Sequence, residues 1–136
     1  FANGRRLAAL IKPQEGVEAV VPVVAPLTHD GKGNILNTNA DTMAATVAKA
    51  LTEEFEVTLT YCFEKPGVMA DADDDDSVIP TINTESYAQL KVDGIVSGGM
   101  IPKLDNAFDS ISSGVKRVVI THFTDIQASM GTVIEK

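Results

Sequence analysis

The sequence predicts an α/β fold with a mainly parallel sheet sandwiched by helices, and three observations carry that prediction. Short runs rich in Val, Ile, Thr and Phe alternate with stretches of helical apolar periodicity. The run VVPVVAPL at 20–27 is continuous and β-branched, as in a strand buried on both faces of a parallel sheet. The 136 residues are 44% apolar and lack Trp, so one domain, or half of a larger one, builds its core mainly from Val, Ile, Leu, Ala and Met.

The elements follow in order. Arg5 to Ile11 reads as a short helix, with Leu7, Leu10 and Ile11 at helical spacing. After the 20–27 strand, THDGKGN at 28–34 is a loop with Asp-Gly as its turn, followed by a short strand at Ile35 and Leu36. In NTNADTMAATVAKALTEEF, Met43, Val47 and Leu51 recur every fourth residue, which predicts a helix. EVTLTYCF at 56–63 is a strand, and Cys62 within it is expected to be a buried, inert thiol. A long loop follows, turning at Pro66-Gly67. Thr84 is the expected N-cap of a helix ending near Gly94. SGGMIPKLDNAFDSISSG is a further helix stopped by Gly114; KRVVITHF at 116–123 is a strand, and GTVI at 131–134 a last, edge strand.

Charge narrows the function classes. Nineteen acidic residues against eleven basic give a net charge of −8, but five of the acids are Asp71 and Asp73 to Asp76. No basic stripe exists to hold nucleic acid. AVVPVVAPL is far too short to cross a bilayer and no signal peptide is visible, so no membrane partner is expected. A single cysteine, unable to form an internal disulfide, fits a reducing cytoplasm. The opening FANGRR lacks an initiator Met, which fits a processed chain or a piece of a longer one.

Three stretches bear on chemistry. In SGGMIPK, Lys103 falls in the first turn of its helix, where the dipole disfavours a cation by a few tenths of a kcal/mol. With Ile101, Leu104, Phe108 and Ile111 as the buried stripe, Lys103 points away from it, and a solvated lysine is the plain reading. Against that reading, Gly98 and Gly99 permit close backbone approach and free helix N–H groups favour an anion, so Lys103 would complete a phosphate clamp. In NTNAD, Asn37 or Asn39 caps a helix with Asp41 in its first turn, while the spacing of the two Asn side chains also suits a polar ligand. The acidic run lacks the central Gly and distant Glu of an EF-hand, so a solvated loop accounts for it and no metal site is expected. His29 and His122 read as loop or strand-end residues.

These pieces in this order, VVPVVAPL, NTNAD, YCFEKPGV, GIVSGGMIPKLDNAF and GTVI, resemble the acetylglutamate kinases of arginine biosynthesis, which have the amino-acid kinase (carbamate kinase-like) fold. The wording APLTHDGKGNILNTNAD and CFEK resembles the form found in Bacteroidetes. The resemblance implies transfer of the γ-phosphoryl of ATP, carried with Mg²⁺, to the side-chain carboxylate of N-acetyl-L-glutamate. By that resemblance Lys103 matches the lysine that stabilises charge on the moving phosphoryl group, and Asp41 the carboxylate that positions the catalytic lysines. Asn37 matches the asparagine that binds the acylated glutamate, with Asn39 in the same polar patch. Glu64, Lys65, Pro66, Gly67, Val68 and Met69 match one nucleotide-contacting loop; Ile95, Val96 and Ser97, leading into Gly98 and Gly99, match the second. Phe63-Glu64 departs from the Thr-Asp or Ser-Asp common in the family.

The family's KxGGK-like first strand, HGGG loop and arginine motif have no counterpart here. The resemblance therefore implies the C-terminal, nucleotide-binding half: residues 20–136 as the lobe and 1–19 as a partly helical lead-in. Alone it is expected to bind ATP weakly, to catalyse nothing useful, and to leave one sheet edge and one apolar surface uncovered. The full-length enzyme is expected to be a homo-oligomer, a dimer or higher. Alternatives are the same transfer to N-succinyl-L-glutamate, and a noncatalytic nucleotide-binding fragment.

Overall fold

The computed structural model describes residues 2–13, 15, 16, 18, 20–126 and 130–136. Its elements are α1 (Gly4–Ile11), β1 (Leu27–His29), β2 (Ile35–Asn37), α2 (Ala40–Leu51), β3 (Thr58–Phe63), β4 (Thr81–Ile82), α3 (Thr84–Val92), α4 (Met100–Ser112), β5 (Arg117–His122) and β6 (Thr132–Ile134). The main sheet runs β3-β5-β6-β4. β3 pairs parallel with β5, and β4 parallel with β6, but β5 and β6 are antiparallel, so the sheet is mixed.

Side-chain alternation along β3 decides what the sheet buries. Leu59 and Tyr61 are buried and Phe63 half-buried on one face, under α2 and α4, while Thr58, Thr60 and Cys62 are exposed on the other. Cys62 is thus not the buried thiol expected; period-two alternation puts it on the open face. The core joins Leu59 and Tyr61 to Val118, Ile120 and Ile134 of the sheet and to Ala45, Ala48, Leu104, Ala107 and Ile111 of the helices. Each fully buried Leu or Ile contributes about 1.5–3 kcal/mol. α3 docks on α4 through Tyr87, whose ring stacks on Phe108 at 5.0 Å and whose hydroxyl donates to Asp105 at 2.7 Å. α1 lies on α2, with Lys12 paired to Glu54.

Several expectations are corrected. Residues 20–26 form no strand: Val21 and Val23 are 86% and 96% exposed, and pairing starts only at Leu27, in a hairpin with β2. Pro22 and Pro26 donate no amide hydrogen, and the segment shares a cavity with Val57, Thr58 and Leu59 without pairing to β3. β6 is no edge strand; it fills the space between β5 and β4, with Thr132 and Ile134 fully buried. The long loop hides β4. Asn83, not Thr84, caps α3, in a capping box with Ser86. The four-stranded sheet ends in two edge strands, β3 and β4. Among the described residues no helix is long and apolar enough to cross a membrane.

Candidate active site

Two helix N-termini meet above β3. Asn39 caps α2, its side-chain oxygen accepting from the Thr42 amide at 3.0 Å, and Asp41 lies in the first turn. Gly99 is the N-cap of α4, which has no side-chain cap. Lys103, one turn in, reaches across and donates to Asp41 Oδ2 at 2.7 Å. The two side chains are only 17% and 35% exposed, so Lys103 is not the solvated lysine of the plain reading. Opposite charge from the first turn of α2 offsets the unfavourable dipole of α4.

The same ammonium sits over the rings of Tyr61, 4.9 Å to the centroid, and Phe63, 5.9 Å. The Tyr61 hydroxyl donates to the backbone carbonyl of Asp41 at 3.3 Å. Burial, and then the nearby Asp41 charge, push the Tyr61 hydroxyl up to about 12. Neither ring was singled out from the sequence as part of the site. The signal was the i, i+2 spacing of 61 and 63 on the helix-facing side of a strand.

Beside Phe63 a cleft of about 170 Å³ opens beyond the carboxyl end of β3, where ligands sit in open α/β sheets. Of the predicted nucleotide segments, the structure brings together Lys65, Gly67, Val68 and Met69 with Ile95 and Ser97 along its walls. Glu64 is exposed and Pro66 half-buried, and neither lines the cleft; Val96 turns inward as a core residue. Lys65 is tethered to Asp75 at 3.0 Å. Gly67 has a packing reason of its own, since a Cβ there would meet Thr132 Oγ1 at 2.8 Å. The Thr132 hydroxyl accepts from the Val68 amide at 2.8 Å and so pins the loop to β6, an anchor the sequence did not reveal.

Gly98 has a φ of +53°, which explains glycine there. Gly99 is different: its φ is −67°, and nothing lies within 4 Å of where a Cβ would stand. Among the described residues nothing requires glycine at 99. Asn37 is exposed at the end of β2, and Asn39 is exposed while spending its side-chain oxygen on the cap. The acidic run folds into local turns in which Asp71 and Asp74 accept from the amides of Asp73 and Asp76, each at 3.0 Å. Among the described residues no three His, Cys, Asp or Glu side chains group to hold a metal ion. His29 and His122 bond locally, to Gly31 and Thr124.

Comparison with known proteins gives consistent similarities. A family model described as "Amino acid kinase family" matches residues 8–122. A protein named acetylglutamate kinase from Phocaeicola vulgatus is 56% identical over 134 residues, 98% of this chain and 50% of its own length. Its namesake from Bacteroides thetaiotaomicron is 58% identical over 119 residues, 88% of this chain and 46% of its own. The chain thus spans about half the length of the curated relatives it matches. Among solved structures, smu.665 from Streptococcus mutans superposes with a TM-score of 0.66 at 28% identity, covering 83% of this chain and 42% of that one. A carbamate kinase from Giardia lamblia superposes at 0.58 with 20% identity, covering 77% and 39%, a likeness of fold.

Proposed function

Because the chain belongs to the amino acid kinase family, we propose that it carries the nucleotide-handling portion of a phosphotransferase that moves the γ-phosphoryl of ATP to the side-chain carboxylate of N-acetyl-L-glutamate. One observation carries the reading. A lysine held by a carboxylate at 2.7 Å stands at a glycine-led helix N-terminus with no side-chain cap, next to a cleft lined by both expected nucleotide segments.

The chemistry suits those parts. A carboxylate nucleophile has a pKa near ~4 and needs no general base at neutral pH. The difficulty is to align two anions and to offset the charge between them. Lys103 and the backbone amides of Gly98 and Gly99 would face the terminal phosphate, since the Met100 and Ile101 amides bond the Ser97 and Gly98 carbonyls and Pro102 has none. Asp41 would orient the ammonium and take no proton. The cleft, lined by Lys65 and Ser97 among others, would take part of a nucleotide, and the space beside Gly99 is open. Mg²⁺, arriving on the nucleotide, would supply further neutralisation. Asn37 and Asn39 would meet the acylated glutamate, through amide groups exposed just ahead of Asp41.

Curated relatives named for acetylglutamate favour the acetyl substrate, and nothing found favours N-succinyl-L-glutamate. A second reading, a noncatalytic nucleotide-binding module, is favoured by the half-length match alone. A coupled ADP-release assay on the complete gene product carrying this sequence separates them. Release dependent on N-acetyl-L-glutamate is the expected result. Nucleotide binding without release on either acylglutamate would replace the kinase reading by the binding module.

A further inference from the structure

The Lys103–Asp41 pair leaves one question open: what keeps a lysine on four rotatable bonds in place without cancelling its charge? We propose that Tyr61 is a positioning residue for the phosphate-facing lysine, its ring face carrying the Lys103 ammonium and its hydroxyl holding the backbone of Asp41. This inference rests on the reading of Lys103 given above.

Tyr61 touches both members of the ion pair. Its centroid lies 4.9 Å from Lys103 Nζ, within the range of a cation–π contact. Its hydroxyl reaches the Asp41 carbonyl at 3.3 Å. That carbonyl belongs to the first turn of α2 and can accept an intrahelical bond as well, since it has two lone pairs. The ring itself is buried, 4% exposed, on a strand paired along its length with β5. One rigid group therefore fixes the distance between the start of α2 and the head of Lys103. Phe63, two residues on and on the same face, extends the support at 5.9 Å.

An aromatic floor differs in kind from a second carboxylate. It attracts the ammonium through the ring's quadrupole, which has no net charge, so the pair gains no extra negative charge. Lys103 is restrained from two sides and keeps donors for an anion arriving from a third. A leucine would fill much the same core space and provide neither contact.

The test is the ratio of the Kd for Mg·ADP to the Kd for Mg·ATP, measured by titration calorimetry on the complete gene product. The ratio isolates the terminal phosphate; a merely loosened fold weakens both nucleotides and leaves it unmoved. Lys103→Ala should bring the ratio close to one. Tyr61→Leu should lower it about 5-fold, the scale of a partly desolvated cation–π contact, and Tyr61→Phe should recover most of that loss. Phenylalanines of increasing fluorination at 61, nearly unchanged in shape, should lower the ratio stepwise. If the unaltered protein shows no preference for ATP, or Lys103→Ala leaves the preference intact, the reading of the site fails. If Lys103→Ala abolishes the preference while Tyr61→Leu and the fluorinated series leave it unchanged, only the role of Tyr61 is overturned.

Discussion

Lys103 is held by a partner 62 positions away in sequence, and its own helix start works against it. Lys103→Ala should lower turnover of the complete enzyme by about 10²–10³-fold, the scale for removing a donor aimed at developing charge, with a smaller change in KM for ATP. Asp41→Asn should cut turnover comparably and cost about 1–3 kcal/mol of stability, since it removes both a favourable helix-dipole charge and the charged partner of the largely buried Lys103; steady-state kinetics beside a urea titration checks both. A separate expectation concerns alkaline pH. The Tyr61 hydroxyl is raised from 10.0 to about 12, so between those values the folded chain binds the proton more tightly than the unfolded chain. Stability should fall as pH rises through that window, and Tyr61→Phe should flatten part of the decline in urea midpoints taken from pH 9 to 11.5. Tyr87, also raised by burial and by its bond to Asp105, accounts for some of the remaining slope. Lys103 stands out in the sequence because it sits awkwardly in a helix start; Asp41 reads by itself as an ordinary first-turn acid, and only the resemblance links the two. Tyr61 does not stand out, because a tyrosine in a strand reads as core until the helices above it are known.

At the scale of elements, the start of α4 is unusual for what it leaves open. Gly99 has helical backbone angles and open space around its missing side chain. Gly99→Ala should therefore shift stability by less than about 1 kcal/mol, roughly 3–5 °C in Tm. The added methyl should weaken Mg·ATP binding by more than that stability change implies. Unchanged affinity would show that the open space serves no ligand. Thr132→Val, nearly the same shape, strands the buried Val68 amide and should cost about 1–3 kcal/mol. Helices with clear caps or periodicity, α1, α2 and α4, were readable from local sequence. The 20–27 run was misread because a strand exists only with a partner, and β-branched residues cannot specify one. β6 was taken for an edge because three residues say nothing about which strands will flank them, and the two residues of β4 fell below any periodic signal.

For the whole molecule, the exposed valines at 20–24 and the edge strand β3 form one poorly protected surface. Isolated apolar side chains are ordinary on a surface, but a run of them beside a free sheet edge invites association. Val21→Thr combined with Val23→Thr should reduce self-association of the isolated chain in sedimentation velocity. Stability should stay within about 0.5 kcal/mol, as for exposed sites in general. Unaltered sedimentation would show that the strip is not adhesive. The placement of β6 has a further outcome during synthesis. Since Thr132–Ile134 slots between strands made earlier, a nascent chain on the ribosome cannot close its sheet until that segment has cleared the exit tunnel. A polypeptide stalled upstream of Thr132 would expose β4 and one side of β5 together, and quality-control proteases would meet an open, unzipped sheet.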